Sequence, residues 1–265
     1  MRPESIAAAA ERLYLAHERR ERFAPLPEDL APRSAEEAYA IQDEFVALRA
    51  DKLGPIVGYK ISLASTKMRR MVGIDVPQSG VLLDAALYRT PARIRAADYV
   101  RPLVEFEIAV EMAEDLPAAD APFSREQMMR AVGAVMPAIE IVDDRGADRA
   151  ALAKRPFDLV ADNGWNEGAV LGYPIEDWRR VDFGRVRGVA RINGKTVGEG
   201  VGADTMGHPF DAAAWIANHL AAHERGLMRT QVVITGSLIT SKAVQAGDLV
   251  QFTLEGFGDV ELRID

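Results

Sequence analysis

The first fifty residues of the chain carry apolar side chains at helical spacing. The segment 5–23 is rich in alanine, with apolar residues on one face, and the prolines from Pro25 onward end the predicted helix. Ser34 opens a second predicted helix, because Glu37 stands three residues later and completes a capping box. The chain is therefore expected to begin with two helices.

From Ile56 the pattern changes to short apolar runs separated by glycines, which is typical of β-strands. Asn193-Gly194 between two such runs predicts a hairpin turn. The predicted strands are 56–61, 104–112, 134–142, the hairpin 189–198, 232–235, 249–254 and 260–264, and the predicted later helices are 67–71, 124–132 and 210–224. This order favours an α+β fold with a mixed or antiparallel sheet, in which 1–52 form a helical N-terminal extension and 53–265 form one unit.

Composition narrows the classes of function. The net charge of -8 argues against a nucleic-acid partner, whose phosphates an acidic surface would repel. The chain has no cysteine, which excludes disulfides, zinc–thiolate sites and cysteine nucleophiles. It has no apolar run long enough for a membrane span and no signal-type N-terminus, so a cytoplasmic enzyme is expected.

Paired carboxylates on one predicted strand are the first candidate site. Apolar and acidic residues alternate from Val104 to Met112, which places Glu105 and Glu107 on the same face, roughly 6.5 to 7 Å apart at Cα. Two carboxylates at that spacing can converge on a hard cation such as Mg²⁺ or Mn²⁺. The alternative is a half-exposed strand with an acidic outer face.

Two further charged residues stand alone in apolar strands. Glu140 needs either a cation or a set of donors, so it is a third metal ligand or it pairs with Arg145 or Arg149. Lys60, next to Tyr59, either binds a substrate carboxylate and transfers protons, or extends its ammonium group from a strand edge to solvent. The residues alone leave both pairs of alternatives open.

Polar loops supply weaker candidates. Asp75 in a turn-rich loop is either an acid or base of the site or an Asx-turn residue. The polar segment from Asp162 to Gly168 lies between two apolar runs and predicts a surface loop that shapes the substrate end of a pocket, with Trp165 selecting the substrate. His208 is expected to cap a helix or to pack against it, with a catalytic base as the less favoured alternative. The other histidines are expected on surface helices, at positions His17, His219 and His223.

Eight short motifs occur in an order that resembles one enzyme family. They are Tyr39-Ala40-Ile41-Gln42, Gly58-Tyr59-Lys60-Ile61, Val104-Glu105-Phe106-Glu107, Ala138-Ile139-Glu140-Ile141, Val160-Ala161-Asp162-Asn163, Gly207-His208-Pro209, Gly236-Ser237-Leu238 and Ala246-Gly247-Asp248. In this order and spacing the chain resembles the 2-keto-4-pentenoate hydratase and 4-oxalocrotonate decarboxylase family, which is related to the fumarylacetoacetate hydrolases.

The resemblance implies a mixed β-roll, a bound Mg²⁺ or Mn²⁺ ion and a substrate from aromatic-compound degradation, expected to be a small 2-oxo acid. It also implies the metal ligands Glu105, Glu107 and Glu140 and the active-site lysine Lys60. Asp75 is a weaker catalytic candidate, the candidate substrate contacts are Asp162, Asn163, Trp165 and Ser237, and a homo-oligomer is expected.

The expected reaction is hydration of a 2-hydroxypenta-2,4-dienoate, with decarboxylation of a 4-oxalocrotonate-type acid as the alternative. C–C bond hydrolysis ranks third, because no histidine stands near the predicted site strands to activate water. A ligand-binding protein without activity is the non-enzyme alternative. It is favoured by two departures from the family pattern, namely Gln78 where an aspartate is usual and the segment Gly164–Gly168.

Overall fold

The computed structural model describes residues 1–65, 69–70, 73–148 and 152–265. Its α-helices are α1 (Pro3–Glu18), α2 (Ala35–Leu53), α3 (Arg125–Ala131), α4 (Phe157–Ala161) and α5 (Pro209–Ala221). The helix predicted from Lys67 to Met71 has both of its ends outside the described residues. No described helix is long and apolar enough to cross a membrane.

Three predicted helix starts are confirmed. The Ser34 hydroxyl accepts a hydrogen bond from the backbone amide of Glu37 at 3.3 Å. The Glu37 carboxylate accepts from the backbone amide of Arg33 and not from that of Ser34, so only half of the predicted capping box forms. A complete capping box joins Ser124 and Gln127 at the start of α3. The His208 ring caps α5, with Nδ1 accepting from the backbone N–H of the second helical residue at 3.1 Å.

The described strands form two sheets. They are β1 (Ile56–Ser62), β2 (Gln78–Leu83), β3 (Leu87–Arg89), β4 (Ala92–Ile94), β5 (Pro102–Met112), β6 (Val132–Asp143), β7 (Asn166–Leu171), β8 (Arg187–Ile192), β9 (Lys195–Val201), β10 (Val232–Ala243), β11 (Leu249–Leu254) and β12 (Gly258–Ile264). The larger sheet has the strand order β2-β1-β10-β5-β6-β7-β3, and the smaller one has the order β4-β12-β11-β8-β9. Strands β2, β3, β4 and β7 are absent from the sequence-based prediction, and both sheets are mixed, as expected of an α+β fold.

The two faces of the larger sheet carry different kinds of side chain. On β5, Phe106 and its neighbours at even positions pack into the main core, where the Phe106 ring lies 5.6 Å from that of Phe252 on β11. The odd positions, which carry Glu105 and Glu107, lie on the opposite face. On β6 the parity is reversed, so that Ile139 enters the core and Glu140 faces the same way as the two glutamates.

The larger sheet curls around this second face. Strands β1 and β6 are separated by β10 and β5, which would place them roughly 14 Å apart in a flat sheet. Lys60 on β1 nevertheless lies 2.9 Å from Glu140 on β6. The side chain of Gln42 links α2 to the edge strand β2 and to α4. It donates to the carbonyl of Ser79 on β2 at 3.1 Å and to that of Val160 in α4 at 2.7 Å. The concave face is thus enclosed, which is what a small-molecule site requires.

Candidate metal centre

Three glutamates meet on the concave face. Glu105 stands directly opposite Glu140 in the β5–β6 ladder, and Glu107 lies two residues farther along β5. Carboxylate oxygens from all three lie within 4.8 Å of one another. The predicted convergence of the three side chains is therefore present in the structure.

A bulge in β10 orients Glu107. Between the pairs Ile234–Ala109 and Ser237–Glu107, strand β10 has one residue more than β5. This extra residue lets the amide of Gly236 donate to Glu107 Oε2 at 2.7 Å. The bulge requires glycine, because Gly236 has a φ of 99° and a Cβ there would lie 2.8 Å from the Cβ of Ala64.

Lys60 completes the cluster from the other side of the curl. Its ammonium group lies 2.9 Å from Glu140 Oε1, donates to the Ser62 hydroxyl at 2.6 Å and lies 3.4 Å from the carbonyl oxygen of Gly164. Lys60 is only 3% exposed, so the alternative of a lysine that extends into solvent is wrong. Glu140 pairs with this lysine, and not with Arg145 as the sequence allowed. Arg149 lies outside the described residues.

The carboxylates of the cluster repel one another. Burial, followed by the charges of Glu140 and Glu105, raises the pKa of Glu107 well above its usual range. Burial opposes the charge of Lys60, but the neighbouring carboxylates, with Glu140 foremost, raise its pKa above 10.5. A divalent cation bound between the carboxylates would offset this repulsion.

Two oxygens of the cluster have no hydrogen-bond partner. They are Glu107 Oε1 and Glu140 Oε2, and both are buried, whereas Glu140 Oε1 accepts from Asn166 Nδ2 at 2.8 Å. An unpartnered buried carboxylate oxygen is costly, and oxygen ligands are those that Mg²⁺ and Mn²⁺ prefer. The donor set therefore fits a hard divalent ion.

Gln78 lies on the same side of the curl as Lys60. It stands opposite Ser62 in the β1–β2 ladder, two residues from the position opposite Lys60, so the three side chains share one face. Its side chain is 4% exposed and its Oε1 has no hydrogen-bond partner. The departure from the family pattern thus places a neutral amide in the enclosed face.

Two other predicted site residues lie differently from the cluster. Asp75 is exposed on a bend before β2 and is not one of the three clustered carboxylates. The Ser237 hydroxyl accepts from the amide of Phe106 at 3.1 Å and donates to the carbonyl of Ile239 at 2.7 Å, so it bridges the irregular β10–β5 pairing. Their predicted roles in catalysis and substrate binding stay predictions.

The segment Asp162–Glu167, named the site turn here, is not a surface loop, and that prediction is wrong. It is buried almost throughout and runs from the end of α4 into β7. The side chain of Asn163 makes two hydrogen bonds to the backbone of Val81 on β2. Its Oδ1 accepts from the Val81 amide at 2.7 Å, and its Nδ2 donates to the Val81 carbonyl at 3.0 Å. Trp165 packs edge-on against Phe23 in a separate apolar cluster, with ring centroids 5.6 Å apart, so it is a core residue.

Both ends of the site turn belong to a buried ion network that the sequence-based prediction missed. Asp162 pairs with Arg145 through Oδ2 and with His17 through Oδ1, the latter at 2.6 Å. The other nitrogen of His17 lies 2.8 Å from Glu167 Oε1, and Arg49 donates to both oxygens of Glu167, at 3.2 and 2.6 Å. With both oxygens of Asp162 engaged by cations, the geometry does not favour its predicted contact with substrate. His17, expected on a surface helix, has a side chain that is only 10% exposed.

The pKa values of the network follow from these contacts. Burial opposes ionisation of Glu167, but Arg49 and His17 outweigh it and lower its pKa from 4.5 to about 2. Arg145 and His17 lower the pKa of Asp162 against burial in the same way. Because the folded values lie below the unfolded ones, both groups stabilise the fold above their unfolded pKa values, and each contribution is lost as the pH falls through the folded value, which for Glu167 is about 2.

The sequence of residues 64–265 matches the model of the fumarylacetoacetate (FAA) hydrolase C-terminal family. The chain belongs to this family. A 2-keto-4-pentenoate hydratase from Paraburkholderia phymatum is 34% identical over 259 residues, which cover 98% of this chain and 96% of the relative. A 2-hydroxyhexa-2,4-dienoate hydratase from Comamonas testosteroni is 30% identical over 260 residues, with 97% of each chain covered.

Among solved structures of this family's fold, a 4-oxalocrotonate decarboxylase from Pseudomonas putida G7, complexed with magnesium and adipate, is similar over the whole chain. The TM-score is 0.91, with 25% sequence identity and coverage of 100% of this chain and 99% of the other. The resemblance given by the eight motifs is confirmed. The relatives are lyases of two kinds, hydratases and a decarboxylase, which supports an enzyme of this general type.

Proposed function

We propose that this protein is a divalent-metal-dependent hydratase that converts 2-hydroxypenta-2,4-dienoate-type substrates into 4-hydroxy-2-oxo acids in aromatic-compound degradation. The observation that carries the proposal is the buried cluster of Glu105, Glu107 and Glu140, with two unpartnered oxygens beside Lys60. The hydratase names of the relatives supply the reaction class.

The three glutamates would hold Mg²⁺ or Mn²⁺. When bound there, the ion would supply positive charge that stabilises a developing negative charge on the 2-oxygen of a 2-oxo acid. The protein's own task is to keep the carboxylates ionised and converged. The Gly236 amide does so at Glu107, and Asn166 and Lys60 do so at Glu140.

Lys60 is the residue that we assign to substrate binding and proton movement. Its ammonium group is buried, and it would donate a hydrogen bond to a substrate carboxylate or give a proton to the substrate. In the reaction, the 2-hydroxyl loses its proton, C5 gains one, and the resulting enone adds water with hydroxide at C4 and a proton at C3. Gln78 is neutral and cannot carry these protons, but its unpartnered Oε1 can accept a hydrogen bond from substrate or water.

Decarboxylation is the second candidate function, and the structural match to a 4-oxalocrotonate decarboxylase favours it. The same charge on the 2-oxygen would stabilise the enolate left when CO₂ departs. The two reactions differ in what they release, so a product assay separates them.

The test uses purified protein stripped of metal and then given Mg²⁺ or Mn²⁺. Loss of the conjugated absorbance of 2-hydroxypenta-2,4-dienoate should be abolished by chelation and restored by metal, with the 4-hydroxy-2-oxo acid as product. Glu140→Gln should lose more than about a hundredfold in metal affinity and in turnover. Glu111→Gln, on the same strand but outside the cluster, is the matched control and should behave as wild type.

Release of CO₂ from 4-oxalocrotonate without hydration of the dienoate would replace the proposal by the decarboxylase. Metal binding without turnover of any 2-oxo acid would replace it by a binding function. A chain that binds no divalent ion would overturn all three.

A further inference from the structure

One histidine side chain holds both ends of the site turn. His17 Nε2 lies 2.6 Å from Asp162 Oδ1, and His17 Nδ1 lies 2.8 Å from Glu167 Oε1. These two carboxylates are the first and the last residue of the turn. His17 itself belongs to α1, which is remote in sequence from every strand of the metal centre.

The middle of the same turn touches the metal centre. The carbonyl oxygen of Gly164 lies 3.4 Å from Lys60 Nζ, and the side-chain nitrogen Nδ2 of Asn166 donates to Glu140 Oε1 at 2.8 Å. Gly164 fits tightly, since a Cβ at that position would lie 2.6 Å from the Ser62 hydroxyl. A shift of either end of the turn would therefore move groups that contact Lys60 and Glu140.

We propose that His17 is a positioning residue, whose imidazolium form fastens both ends of the site turn and so keeps Lys60 and Glu140 in place. Loss of its second ring proton at alkaline pH removes one of these two contacts, so that only an arginine, Arg145 or Arg49, still holds that end of the turn, and this weakens the metal centre. The part of this proposal that concerns turnover rests on the proposed function, whereas the part that concerns metal affinity does not.

The chemistry of imidazole requires the charged form in this position. A neutral imidazole has one N–H donor and one acceptor nitrogen, whereas the imidazolium has two donors. Asp162 and Glu167 present carboxylate oxygens, which only accept, to both nitrogens of His17. In the neutral form, one ring lone pair would therefore face a carboxylate lone pair, and that contact would be repulsive.

Charged and titratable groups line a cavity beside His17, and the Phe45 ring packs against it with ring centroids 5.1 Å apart. A cavity of about 280 Å³ adjoins the ring and gives water access to it, so the ring can exchange protons. The groups that line this cavity with His17 are Tyr14, Glu18 and Arg20 of the N-terminal region, Arg49 and Lys52 of α2, Asp98 and Tyr99 before β5, Asp143 and Arg145 at the end of β6, and Glu167 of β7. Asp162 faces the ring from the site turn.

The balance of these groups favours the cation. Burial opposes the charge of His17, but Asp162 and then Glu167 outweigh it and raise the pKa above 6.5. A raised folded pKa means that the stabilisation is complete below the unfolded pKa and is lost as the pH rises through the folded value. The contacts of His17 with the site turn are therefore expected to weaken as the pH rises through the folded pKa of His17, and not as it falls.

The first experiment observes the ring directly. In the full-length protein, ¹⁵N NMR of labelled histidine should show His17 protonated on both nitrogens well above the ordinary histidine range. This measurement needs no substrate and no variant, so it stands even if the chain is not a hydratase. A His17 that is neutral at neutral pH would overturn the proposal.

The second experiment measures Mn²⁺ affinity against pH by electron paramagnetic resonance. His17→Gln keeps one hydrogen-bond donor but no charge. It should weaken Mn²⁺ binding about tenfold, which is the lower end of the range for groups that position metal ligands without touching the metal. It should also remove the alkaline loss of affinity that wild type shows at the pKa of His17, and lower kcat more than it raises KM. The matched control is His223→Gln, which removes an exposed imidazole at the end of α5 and should change neither quantity.

A folded His17→Gln protein with wild-type Mn²⁺ affinity and an unchanged pH profile would assign His17 to stability alone. If turnover is absent in wild type but both the NMR and the Mn²⁺ results hold, the proposed function fails and the positioning role of His17 stands.

Discussion

The metal centre and the ion network are two buried groups of charges on neighbouring elements, and they are built in opposite ways. In the metal centre, one carboxylate oxygen each of Glu107 and Glu140 has no hydrogen-bond partner. In the network, each of the four oxygens of Asp162 and Glu167 contacts an arginine or histidine nitrogen. Buried carboxylate oxygens without a partner favour a bound ligand, whereas paired carboxylates hold the fold together.

The network has its own unpartnered atoms, but they are of a different kind. Arg145 Nε and Nη1 lack hydrogen-bond acceptors. The guanidinium carbon of Arg145 lies 5.8 Å from the centroid of the Phe23 ring, and a cation over an aromatic face is stabilised without an acceptor. The contrast between the two regions therefore holds for the carboxylates, and these are the groups to change.

The largest effect is expected where matched charges are broken. Asp162→Asn leaves Arg145 and His17 buried without their common carboxylate, and it should lower the free energy of unfolding by about 3 kcal/mol. Urea denaturation at neutral pH measures the loss. The matched control is Asp43→Asn, because Asp43 pairs with Arg225 at the surface and should contribute less than about 1 kcal/mol. Equal losses in the two variants would show that burial of the network adds no stability.

The next effect is expected on catalysis. Lys60→Met should lower turnover by about a hundredfold or more, the size of a lost acid–base group, which is about 2.7 kcal/mol in the barrier. Steady-state kinetics with saturating Mn²⁺ measures it, since the bound ion supplies the positive charge that Glu140 loses. Lys195→Met, on an exposed position of β9, is the control. Normal turnover in Lys60→Met would make this lysine a structural partner of Glu140.

The contrast also explains which parts of the molecule could be predicted from sequence. Glu105, Glu107 and Glu140 stand in regular strands, where alternation of apolar and polar residues fixes the face of each side chain. The cap at Ser34 was predicted from an equally local pattern, a glutamate three residues later, and the cap at His208 from its place directly before the helix. Such features need only the order of residues within one element.

The site turn and the network could not be predicted in this way. His17, Asp162 and Glu167 look like surface residues, because nothing within α1 or near Asp162 shows that these segments meet. Strand β2 is buried along its whole length and shows no alternation, so its pattern carries no signal. Trp165 in a polar segment suggested a pocket mouth, whereas the apolar cluster around Phe23 holds it. Contacts between distant segments decided each of these cases.

The smallest effect should have the opposite sign from the first. The pKa of Glu107 is raised by burial and by its neighbours, so keeping this carboxylate ionised in the metal-free fold costs free energy at neutral pH. Glu107→Gln removes that cost and should therefore raise the free energy of unfolding of the metal-free protein. The gain should shrink as the pH falls toward the usual range of a glutamate, where the wild-type carboxyl is protonated in both states. With Mn²⁺ present, the order should reverse, because wild type binds the ion more tightly and gains more from it. Thermal unfolding with and without Mn²⁺ measures both signs, and a variant that is less stable than wild type in both conditions would place Glu107 with the structural carboxylates of the network.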